Sequence, residues 1–125
     1  MNNVVAYCRV STEKEDQLNS FEAQKLFFTE YASKNDYNLI QIYADEGITG
    51  TSTKKRAEFN QMMEDSKKGN FECVLVKDVS RLARNTYDFL KSIRELKARN
   101  INVRFVTANM ESLDGSEFML TMLAA

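Results

Sequence analysis

An α/β fold is predicted, with a mostly parallel central sheet of four or five strands and helices on both faces. Three features of the 125-residue sequence predict it. Short apolar runs alternate with helix-period segments along the chain. The first run, "VVAYC" at residues 4–8, is apolar at every position, as in a strand covered on both faces. No proline, repeat or low-complexity linker interrupts the alternation, so one domain spanning residues 1–125 is expected.

The elements follow in order. After the strand at 4–8, residues 17–34 place Phe21, Phe28 and Ala32 on one helical face with charge elsewhere. "NLIQIYA" (38–44) reads as a second strand, and "DEGITGTSTKK" (45–55) as a loop rich in turn and hydroxyl residues. A short helix then turns Phe59, Met62 and Met63 inward. Lys67, Lys68 and Gly69 form its stop signal, because cations suit a helix C-terminus and glycine the position after it. "ECVLV" (72–76) is a third strand. Asn85, with Asp88 three residues on, starts a helix whose stripe is Phe89, Ile93 and Leu96. "INVRFV" (101–106) is a fourth strand. A last helix begins near Ser116 and runs apolar through "EFMLTMLAA" without a polar finish. That segment is expected either to continue past Ala125 or to bury its face on another chain, through residues around Phe118, Leu120 and Leu123.

Composition narrows the chemistry. The chain has no histidine, which excludes a Ser-His-Asp arrangement and removes the commonest general base and metal ligand. Its two cysteines, Cys8 and Cys73, sit inside apolar runs and read as buried small hydrophobes, not as a disulfide or a zinc site. No metal and no cofactor are expected. A formal net charge of −1 gives no bulk attraction to nucleic acid, so any basic site must be local. No segment has the length and apolarity of a membrane span, and the N-terminus lacks a signal-peptide pattern; a cytoplasmic location is expected.

Ligands of open parallel sheets bind beyond the carboxyl ends of the strands. Strand one delivers Arg9, Ser11 and Thr12 there. The second delivers the 45–55 loop leading to Lys54, Lys55 and Arg56. The third delivers Lys77, Asp78, Ser80, Arg81 and Arg84, and the fourth Thr107. One sheet edge thus collects a hydroxyl and several guanidinium groups, the composition of a phosphate-ester site, since arginine offers planar paired donors to phosphate oxygens. Each residue also has an ordinary reading: Ser11 as a helix cap, the basic residues as a solvated face. It is their convergence from separate segments that favours chemistry.

"YCRVS", Gln24, "DEGITGTS", "VKDVSRLARN" and "NVRFVTANM", in that order, resemble the catalytic domain of the serine recombinases, the resolvase/invertase family. The resemblance covers nearly the whole chain. It implies a site-specific DNA recombinase in which Ser11 attacks a DNA phosphodiester, leaving a 5′-phosphoserine link and a free 3′-hydroxyl. It further implies that Arg9, Arg81 and Arg84 contact the scissile phosphate, and that Gln24 and Arg56 support the phosphate or the nucleophile. Many members carry aspartate immediately before the arginine of the R-L-x-R motif. Here that position is Ser80, as among large serine recombinases, with Asp78 two residues earlier; both join the site as supporting residues. DNA is the implied partner, with a homodimer and a synaptic homotetramer of the full-length protein. The last helix would lead to a DNA-binding region beyond Ala125, and the gene would belong to a bacterium, phage or mobile element.

Rival readings fare worse. A response-regulator receiver domain shares the alternation, and Asp78 and Thr107 suit it, but it needs an acidic pair after strand one where this chain has Arg9-Val10-Ser11. A nucleotide-binding module would need a glycine-rich loop there. A non-catalytic DNA-organising domain would form no covalent adduct.

Overall fold

The computed structural model describes residues 2–11, 14–46, 56–78 and 86–112. Five strands form one sheet: β1 (Asn2–Val10), β2 (Tyr37–Glu46), β3 (Cys73–Val76), β4 (Asn102–Phe105) and β5 (Met110–Glu111). Their order is β2-β1-β3-β4-β5, with β1 through β4 parallel and β5 antiparallel to β4. Among the described residues three α-helices cover the sheet: α1 (Phe21–Lys34), α2 (Ala57–Asp65) and α3 (Thr86–Ala98).

β1 lies between β2 and β3, and its pleat supplies both cores. Val4, Ala6, Cys8 and Val10 pack with Phe28 of α1 on one face. Val5 and Tyr7 pack with Phe59 and Met62 of α2 and with Ile93 and Leu96 of α3 on the other. This period-two division puts helices on both faces, as the continuous apolar run requires.

The helix at 17–34 is divided. A single 3-10 turn spans Gln17–Asn19, and α1 starts at Phe21 behind Ser20, whose hydroxyl accepts from the Ala23 N–H at 3.2 Å. The cap of α1 is therefore Ser20, not Ser11. The buried stripe is Gln24, Phe28 and Ala32 at i, i+4, i+8. Phe21, expected inward, is 39% exposed, because the first turn of α1 overhangs a groove beyond the end of β1. The second strand also runs further than its apolar run, taking in Asp45 and Glu46. Gly69 ends the turn after α2 at φ 72°, the left-handed conformation its sequence position called for. β5 escaped the sequence because two residues carry no readable period; it is held by Ser112, whose hydroxyl accepts from the Val103 N–H at 2.8 Å. The side chain of Phe89, most of the 45–55 loop, and the helix expected from Ser116 lie outside the described residues.

Cys8 and Cys73 are free and buried, and burial pushes both thiols up to about 12. Each raised pKa favours the neutral thiol in the fold. Between the ordinary thiol value and about 12 the unfolded chain has lost protons that the folded chain keeps. Stability should therefore be complete at neutral pH and fall as pH rises from about 8.5 toward 11. Urea unfolding across that range should show midpoints decreasing with pH. A thiol-reactive dye should label neither cysteine at pH 7 until denaturant is added.

Candidate active site

The parallel register brings the carboxyl ends of β1 to β4 to one edge. Arg9 and Val10 close β1, opposite Asp45 and Glu46 of β2. Ser11 is the first residue past the ladder and is only 6% exposed. Its N–H donates to the Asn19 carbonyl at 2.8 Å, which ties the end of β1 to the 3-10 turn at Gln17–Asn19. Gln24, 1% exposed on α1, donates its carboxamide N–H to the carbonyl of Arg9 at 2.8 Å and to that of Asn19 at 3.3 Å. One buried side chain thus spans the Arg9 backbone and the residue that holds Ser11. A groove of about 450 Å³ opens beside the serine, lined by Val10, Ser11, Lys14, Gln17, Phe21 and Glu46 among others.

A second cluster lies on the α2 face of the same strand ends. Asp45 is 6% exposed and accepts three hydrogen bonds. The Tyr7 hydroxyl donates at 2.9 Å, and the backbone N–H groups of Glu58 and Phe59 at 2.9 and 3.0 Å. The Asp45 carboxylate therefore caps α2 from another strand, at the helix end where negative charge is favoured. Arg56, at the N-cap position, lays its guanidinium over the Phe59 ring, 3.8 Å from the centroid, with the Tyr7 ring at 5.5 Å. Burial is the main cause that raises the Tyr7 pKa, with the neighbouring Arg56 opposing it, so Tyr7 stays a neutral donor to Asp45. The guanidinium is thus set on aromatic faces within the core's edge; it does not belong to the solvated face that its two lysine neighbours suggested.

At the next strand ends, Asp78 is half-buried two residues past β3. Thr107 ties the exits of β3 and β4 together: its backbone N–H and its hydroxyl both donate to the Lys77 carbonyl, at 2.9 and 2.7 Å. Of the residues expected in the site, Arg9, Ser11 and Gln24 meet around β1's exit, with Arg56 on the α2 side. Ser80, Arg81 and Arg84 lie outside the described residues. Tyr7, Asp45 and Asn19 escaped the sequence reading. Tyr7 sits inside an apolar run and Asp45 inside a turn-like string; their shared face becomes visible only from the β1–β2 register. Among the described residues no group of three or more acidic, cysteine or histidine side chains could hold a metal ion, and no helix is long and apolar enough to cross a membrane.

The fold and this edge define a class: an α/β domain whose hydroxyl and cationic side chains gather at the carboxyl end of a parallel sheet. Residues 4–125 match the family described as "Resolvase, N terminal domain". The chain is similar to a resolvase family site-specific recombinase from Streptococcus pneumoniae, with 35% identity and a TM-score of 0.81, covering 99% of this chain and 86% of that one. It is similar in fold to the N-terminal catalytic domain of TP901-1 integrase, with 22% identity, a TM-score of 0.77 and coverage of 98% and 90%. The C-terminal catalytic domain of ISC1926 TnpA, an IS607-like serine recombinase, shares the fold at 19% identity and a TM-score of 0.68, over 83% of this chain and 67% of that one. No curated protein matched. The chain belongs to the resolvase family, as a catalytic domain of a site-specific DNA recombinase.

The Asp45 cluster yields a stability prediction. Asp45→Ala leaves three donors without their acceptor and should cost about 3 kcal/mol, whereas Tyr7→Phe should cost about 1 kcal/mol. Urea denaturation of both variants and of the double variant should show coupling, with the Tyr7→Phe cost nearly absent once Asp45 is gone.

Proposed function

We propose that this domain cuts and rejoins DNA through a covalent bond to Ser11. The observation that carries the reading is the placement of Ser11. It is the first residue beyond the central strand, held by its own N–H, bordering a groove, and two residues from Arg9. In the reaction, Ser11 Oγ attacks phosphorus and loses its proton. The P–O3′ bond breaks, and the departing 3′ oxygen takes up a proton. The DNA 5′ end is then esterified to Ser11, and attack by the 3′-hydroxyl of another strand end reverses the step. One phosphate ester is exchanged for another, so rejoining needs no ATP.

Arg9, Arg81 and Arg84 are assigned to the phosphate, where fixed guanidinium groups neutralise the charge that builds up on the pentacoordinate phosphorus. Gln24 positions Arg9 and Ser11 through the two carbonyls it binds. Arg56, braced on Phe59 and Tyr7, supplies a further fixed cation at the same edge. Asp78 and Ser80 flank the arginine segment as supporting residues. No metal takes part, because arginines supply the charge that metals supply elsewhere. The domain acts on DNA as a dimer that pairs into a synaptic tetramer. Reading of base edges belongs to a DNA-binding region outside residues 1–125, since base readout needs an element that enters a groove.

The test uses the full-length protein and a duplex selected from random DNA by its binding, with sulfur in place of the bridging 3′ oxygen at the cleavage position. The thiolate released on cleavage is a poor nucleophile toward phosphorus, so the adduct accumulates. The wild-type protein should form adduct even in excess chelator. Ser11→Ala should bind the duplex and form none. Arg84→Lys keeps the charge but loses the paired donors, and should lose about 2–4 kcal/mol of barrier stabilisation. Adduct from Ser11→Ala, or a strict metal requirement in the cleavage step, would contradict the reading.

A further inference from the structure

We infer that Asp16 and Asn19 form a positioning lock for Ser11, an inference that rests on Ser11 being the nucleophile. Ser11 lies outside the sheet ladder, whose last β1–β2 pair is Val10 with Glu46. Past the ladder its backbone is held by the 2.8 Å bond from the Ser11 N–H to the Asn19 carbonyl. The direction of that carbonyl is set by the 3-10 turn at Gln17–Asn19. The turn closes twice on Asp16. The Asn19 backbone N–H donates to the Asp16 carbonyl at 3.3 Å, and the Asn19 carboxamide N–H donates to the Asp16 carboxylate at 2.8 Å.

A chain of contacts thus runs from the Asp16 carboxylate through Asn19 to the Ser11 amide. The bond to the carboxylate is charge-assisted and short, the stronger kind of side-chain hydrogen bond. The Asn19 carbonyl is shared with Gln24, whose other bond reaches the Arg9 carbonyl. Releasing Asn19 would let Ser11 shift relative to Arg9 while the core beneath stays intact, because Asp16 and Asn19 are only half-buried and neither is a core residue. A misplacement of about 1 Å in a reacting group can cost on the order of a hundredfold in rate. Asp16 and Asn19 touch no reacting atom. They are positioning residues, acting through the backbone of Ser11.

The test is an exchange of the two residues in the full-length protein, read on the same sulfur-bridged duplex at saturating protein. Asn19→Asp replaces the donor by a second carboxylate and should slow single-turnover adduct formation about tenfold, with the half-saturating DNA concentration and the urea midpoint unchanged. The paired Asp16→Asn/Asn19→Asp exchange restores one donor and one carboxylate with the bond reversed. It should return the rate to within about threefold of wild type. Should Asn19→Asp fail to fold, Asp16→Ala, which removes only the acceptor, should show the same loss of rate at unchanged DNA affinity. Wild-type rates from the single variants, or a paired exchange that folds but does not recover, would overturn the lock alone. Absence of any Ser11-dependent adduct from the wild-type protein would overturn both the lock and the reading beneath it.

Discussion

The central placement of β1 is the constraint on which the rest of the structure depends. It pairs on both edges and packs on both faces, so each of its residues has an assigned side. Positions 4, 6, 8 and 10 belong to the α1 core, and positions 5 and 7 to the α2–α3 core. Arg9 continues the second set and Ser11 follows it out of the sheet. A shift of one residue would exchange the two sets, putting Tyr7 against α1 and parting it from Asp45. The edge that carries Arg9 and Ser11 is thus positioned by the same apolar packing that stabilises the domain.

Around that strand the polar groups act as struts. Asp45 joins β1, β2 and α2 in one carboxylate, and its two backbone donors fix where α2 begins after the 47–55 segment. Gln24 joins α1 to the exit of β1. Thr107 joins the exits of β3 and β4 at the Lys77 carbonyl, the last described stretch before the segment that carries Arg81 and Arg84. The Asp45 carboxylate and the Gln24 carboxamide N–H are hydrogen-bonded where they are buried, which limits the cost of placing polar side chains inside a small domain. The struts also anchor the strand exits at the candidate site to one another and to α1 and α2.

Much of the fold was legible because its signals are local and periodic. The run at 4–8, the glycine stop at Gly69 and the stripe of Ile93 and Leu96 each report their own surroundings. Ser11 and Arg9 could be singled out as candidate site residues because strand ends of a parallel sheet are where ligands bind. What escaped were relations between segments. Phe21 looked like part of the α1 stripe because a seven-residue spacing from Phe28 suits a helix, yet its side chain lines a groove. Asp45 looked like a turn residue because "DEG" is turn-like, although its carboxylate belongs to a strand end and caps a helix that begins twelve positions further on. By composition Arg56 looked like one of three solvated cations, although the family resemblance gave it a supporting role; its seat on the aromatic pair of Tyr7 and Phe59 emerges only in the fold. Asn19 holds the Ser11 N–H through its backbone carbonyl, which any residue possesses, and its side-chain bond to Asp16 emerges only with the Gln17–Asn19 turn.

The central claim is that the covalent link to DNA is made by one residue, Ser11. It is tested most directly by digesting the trapped protein–DNA adduct with protease and nuclease and sequencing the modified peptide by tandem mass spectrometry. The account predicts a single modified peptide spanning the exit of β1, with the residual nucleotide attached through its 5′ phosphate to Ser11. A nucleotide found on Thr12, Ser20, Ser80 or any tyrosine, or attached through a 3′ phosphate, would contradict it.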